Sequence, residues 1–78
     1  MDRQLEKHHT QWVTGVSNVT HDLMRLLTAR LPEIAALEAY ERDADEGDDA
    51  LVRAFLDRLE QRAREDVVGL RALVAERL

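Results

Sequence analysis

The sequence contains no cysteine, which excludes disulfides, thiolate metal sites and a thiol nucleophile. With one proline and three glycines, the chain has one clear turn, Asp43-Ala-Asp-Glu-Gly-Asp-Asp49. There are only three aromatic residues, Trp12, Tyr40 and Phe55. Leucine, alanine and valine therefore have to supply the core, the palette of a helix bundle. No stretch approaches the ~18 apolar residues that span a bilayer. The opening Met-Asp-Arg-Gln-Leu-Glu-Lys is charged and has no apolar run behind it, which argues against a secretory signal. A cytoplasmic protein without a membrane partner is the expectation.

What the chain does have is unevenly distributed charge. Its 78 residues, one small domain over 1–78, carry a net charge of -5. Acids and bases balance over 1–37, and 50–78 carry five acids against six arginines. The surplus belongs to 38–49, where Glu38, Glu41, Asp43, Asp45, Glu46, Asp48 and Asp49 face only Arg42. A direct nucleic-acid partner is disfavoured, since neutralising phosphates needs a basic surface. A basic protein surface suits the acidic segment.

Two helices account for the periodicity. Trp12, Val16, Val19, Leu23 and Leu26 recur at steps of four and three, the seam of a helix packing on other helices. The first helix is expected over about 3–44. Gly15 weakens it by about 1 kcal/mol relative to Ala. Pro32 lacks a backbone donor and crowds the carbonyl of Thr28. No capping residue sits at Arg30-Leu31, so Pro32 is read as a kink with a change of face, the stripe resuming at Leu31, Ile34 and Leu37. The second helix, about 49–77, shows Val52, Leu56, Leu59, Ala63, Val67, Leu70, Val74 and Leu78 at a mean spacing of about 3.7. Asp49–Arg53, Arg53–Asp57, Glu60–Arg64 and Arg62–Asp66 stand at i,i+4 spacing and are expected as pairs on its solvated side.

Between the helices lies an acidic turn at 45–48. Gly47 is expected to take the left-handed conformation, with Asp48 or Asp49 capping the second helix. A calcium loop needs Gly at position 6 and Glu at position 12. Counted from Asp43, Gly47 stands at position 5 and Ala54 at position 12, so no metal is expected. His8, His9 and Trp12 lack the three or four convergent ligands of a metal site. No cofactor is expected either.

A two-helix hairpin leaves half of its core uncovered. The expected architecture is all-α, a long helical hairpin dimerising into a four-helix bundle; the alternative is a monomer whose first residues fold back at Gly15 as a third helix. Folding about residue 46 sets His21 opposite roughly residue 72, and the first fifteen residues extend beyond the second helix. Leu5, Trp12, Val16, Val19, Leu23, Leu59 and Leu70 are the expected dimer contacts.

His21 falls well off the seam, toward solvent, and Asp22 follows it directly. Asn18-Val-Thr-His-Asp-Leu23, with Leu27-Thr28 beyond, resembles the H-box of sensor histidine kinases. The layout of H-box helix, acidic turn and returning helix resembles their dimerisation and phosphotransfer domain. The resemblance implies His21 as phosphoacceptor, Asp22 as the acid orienting its ring, and a receiver-like partner. Met24, Arg25 and Leu26 depart from that motif, and no glycine-rich nucleotide box accompanies it. An enzyme acting alone is not expected. The other function class is an acidic inhibitor or adaptor that applies Asp43, Asp45, Glu46, Asp48 and Asp49 to a basic surface.

Overall fold

A serine begins the described structure. Ser17 Oγ accepts a hydrogen bond from Thr20 N at 3.1 Å and pairs with Thr20 Oγ1 at 2.8 Å, so the hydroxyl of an N-cap satisfies an otherwise orphaned amide. The structure is a computed structural model, and it describes residues 17–78. Helix α1 spans Asn18–Glu46 and α2 spans Ala50–Arg77. They pack against each other as a hairpin, with no strand among the described residues. The expected beginning of the first helix, and the contacts assigned to Leu5, Trp12 and Val16, lie outside these residues. No described helix is long and apolar enough to cross a membrane.

Helix α1 runs through Pro32 without a break. Pro32 is exposed, so the carbonyl that loses its partner lies on the solvated side, where water can bond it. The expected change of face does not occur. Thr20, Leu23, Leu27, Arg30, Ile34, Leu37, Glu41 and Ala44 are all buried or half-buried, at unbroken three-four spacing. Arg30 keeps its seam position because its aliphatic stem covers apolar surface while its charged head reaches the edge. The matching line on α2 is Arg53, Leu56, Glu60, Ala63, Val67, Leu70 and Val74. Ile34, Ala63 and Val67 form the centre of the core, with Leu27 and Leu37 packed on it.

The seam is thus displaced by one residue from the apolar stripe expected in α1. Leu23, Ile34 and Leu37 belong to both, but Val19 is 61%, Leu26 46% and Leu31 47% exposed. The apolar stripe is broader than one neighbouring helix can cover.

The turn closes with a Schellman arrangement. Asp49 N donates to Ala44 O at 2.9 Å and Asp48 N to Asp45 O at 3.1 Å. The left-handed residue is Asp48, with φ 52°, not Gly47 as the sequence suggests. Gly47 sits one position early, at φ -86°, with its amide still bonded to Asp43 O at 3.0 Å. Helix α1 consequently extends to Glu46, and the turn contracts to Gly47-Asp48 before Asp49 caps α2 through Val52 N at 3.1 Å. Aspartate tolerates this region better than most residues, but still at a cost. Asp48→Gly is expected to stabilise the hairpin by about 1 kcal/mol, measured as a higher denaturation midpoint with an unchanged slope.

Candidate functional site

His21 lies one residue past the buried Thr20, about 100° around α1 from the seam. It is half-buried, whereas Asp22 is exposed. Successive side chains on a helix diverge by that same angle, and no hydrogen bond joins the two among the described residues. The structure therefore does not bring together the pair that the sequence set side by side.

The acidic segment is also reorganised by folding. Arg64 Nη2 reaches Glu38 Oε1 at 2.8 Å, Arg53 Nη1 reaches Glu41 Oε1 at 3.0 Å, and Arg53 Nε lies 3.6 Å from Asp45 Oδ1. Asp49 is occupied as the cap of α2. Of the expected interaction residues, Asp43, Glu46 and Asp48 remain exposed and without an ion pair among the described residues. The charge of this segment is a set of cross-helix pairs with a small acidic tip.

Sequence reasoning missed the polar cluster at the centre of these pairs. Arg53–Asp57 and Glu60–Arg64 form as expected by spacing, at 3.5 and 2.6 Å. Yet Arg53 and Glu60 stand on the seam, not on an outer face, and Glu41 is only 5% exposed. Glu41 Oε2 is buried without a hydrogen-bond donor. Burial raises the Glu41 pKa, and the Glu60 carboxylate adds to this, against the opposing pull of Arg53. Glu60 is lowered, first by its bond to Arg64 and then by that to Glu41. The same Glu60 bond holds Arg64 above its ordinary value. The signal available in the sequence was a glutamate and an arginine at core spacing in helices that fold onto one another.

Around the seam, the two long sides of the hairpin differ. One carries the Glu38–Arg64 and Arg53–Asp45 pairs over the end near the turn, with Met24 and Leu31 farther along α1. The other carries Leu26 and Tyr40 from α1, and Phe55, Leu59 and Leu73 from α2, all substantially exposed. Shallow grooves run along this second side between the helices. Of the expected dimer contacts, Val19 and Leu59 belong to this open side, while Leu23 and Leu70 are half-buried on the hairpin seam.

No family model, curated protein or solved structure matches this chain.

Proposed function

We propose that this protein is a homodimeric helical module that works through protein–protein contact, with His21 as the acceptor of a histidine-phosphotransfer-like surface or its degenerate relic. The observation that supports this reading is the placement of His21. It stands on the side of α1 turned away from Val19 and Leu26, so assembly through the apolar side leaves the imidazole open to a receiver-like protein. In the reaction, an imidazole nitrogen attacks the phosphorus of an acyl phosphate on the partner. The N–P bond forms as the bond to the partner's carboxylate breaks, and the ring proton passes to solvent. Asp22, at about 100° to the ring, contributes charge to the docking surface rather than a bond to the imidazole.

The reading predicts acid-labile phosphate on the protein after incubation with a phosphorylated receiver or kinase, and its complete loss in His21→Ala. Intact-mass spectrometry at neutral and acidic pH checks both. Equal labelling of parent and variant, or no labelling with any donor, overturns it. The acidic-adaptor reading has less support, because Glu38, Glu41 and Asp45 already spend their charge on Arg64 and Arg53.

A further inference from the structure

The open side of the hairpin has an internal order. Leu26 and Leu73 line the groove toward one end, and Tyr40 and Leu59 line it toward the other. Between them lies a charged band of Arg30, Glu33, Arg62 and Asp66, all bordering one groove. Arg30 Nη1 is 3.4 Å from Glu33 Oε1, and Arg30 Nε is 3.7 Å from Asp66 Oδ2. Arg62 makes no ion pair among the described residues. Ala36 and Gly69 also border these grooves, and no atom lies within 4 Å of where a Cβ on Gly69 would stand. Small residues there let another helix approach closely.

We infer that this side takes a second copy of the chain, and that the charged band gives the contact its preference for its own kind. The inference rests on the dimeric reading above and assigns it a surface. Two arginines and two carboxylates leave the band with no net charge. A band of one sign would repel its copy, but a balanced one matches itself under two-fold symmetry. Arg62 gains a carboxylate that it does not meet among the described residues. A strongly acidic or basic partner finds no excess charge to recognise here. Two helices of this length offer a side about 40 Å by 20 Å, roughly 800 Å² per copy. That is the size of a standard stable interface. His21 falls on the other side of α1, so the contact does not cover it.

Charge reversal tests the surface in any orientation of the two copies. Arg62→Glu makes the band net negative and Glu33→Arg makes it net positive. Each alone is expected to raise the dimer dissociation constant by roughly 100-fold, because like charges then meet across the contact. Mixed in equal amounts, the two variants are expected to form a heterodimer as tightly as the parent forms its homodimer. Arg71→Glu, outside the band and grooves, is the control and keeps the parental constant. Circular dichroism verifies that each variant retains its helices, and sedimentation equilibrium gives the constants. A parent that dimerises with variants that dimerise equally well, or a mixture that yields no heterodimer, overturns the assigned surface and leaves the dimer standing. A parent that stays monomeric at every concentration overturns both.

Discussion

Ile34→Asp is expected to abolish the hairpin, with loss of most of the helical signal at 222 nm at 25 °C. Ile34 is 8% exposed and packs with Ala63 and Val67, between Leu27 and Leu37. Removing a buried isoleucine forfeits about 2–4 kcal/mol of burial and packing. Leaving a carboxylate there without a partner adds several more. Small domains are stable by only about 5–15 kcal/mol, and this core has few residues to share the loss. Ile34→Val, which removes one methyl from the same site, is expected to cost only about 1 kcal/mol and to retain a cooperative transition. Equal behaviour of the two variants in thermal and denaturant unfolding would show that the seam does not run through Ile34.

The Glu41–Arg53 pair yields the second large effect, opposite in sign for its two members. Arg53→Ala leaves the Glu41 carboxylate buried without its 3.0 Å partner. Removing one member of such a pair is far more costly than removing both. The melting temperature is expected to fall by roughly 10 °C. Glu41→Leu instead removes the buried charge and the unbonded oxygen together, while half-exposed Arg53 keeps Asp45 and Asp57, and is expected to raise it by about 5 °C. The double variant should recover most of the loss seen with Arg53→Ala.

The same site sets a pH dependence. Because the Glu41 pKa is raised in the folded chain, from an ordinary 4.5, the folded state binds its proton first. Acidification through that raised value therefore adds stability, and the gain is complete below about 4.5. Glu60 is lowered, so its contribution is present above 4.5 and is lost as the pH falls through its folded value. A stability maximum in mildly acidic solution follows, with a decline further down. In Glu41→Leu the rise on mild acidification should vanish while the decline persists. Melting curves between pH 3 and 8 distinguish the two branches.

These effects show which parts of the fold were legible in the chain. Two helices, the break between them and the cap at Asp49 follow from periodicity and from a few polar residues. The seam was harder to place, because apolar residues occupy three neighbouring lines of α1. Val19 and Leu26 look as buried in a sequence as Leu23 and Leu27 do. What separates them is the position of α2, which no local pattern encodes. One helix through Pro32 was legible, but the continuity of its buried line past Pro32 was hidden for a related reason. Arg30 looks like an interruption until Asp66, from the other helix, is placed beside it.

The candidate site divides along the same line. His21 was expected to look outward, and its position past Thr20 sets it off the seam. The partnership of His21 with Asp22 was implied by the H-box resemblance, but adjacent residues on a helix diverge by about 100°. Along the chain alone the acidic run has only Arg42 beside it and looks like a free surface. Once α2 folds back, its arginines meet Glu38, Glu41 and Asp45, and the free acids shrink to the tip. A core glutamate such as Glu41 could be anticipated only by projecting both helices onto a common heptad.

The central claim is that the hairpin is half of an assembly whose open apolar side is covered by a second copy. Sedimentation equilibrium of the unmodified chain over a hundredfold range of concentration tests it most directly. The expected result is a reversible species of twice the 9.0 kDa chain mass, dissociating only on dilution. A single species of 9.0 kDa at every concentration would contradict it.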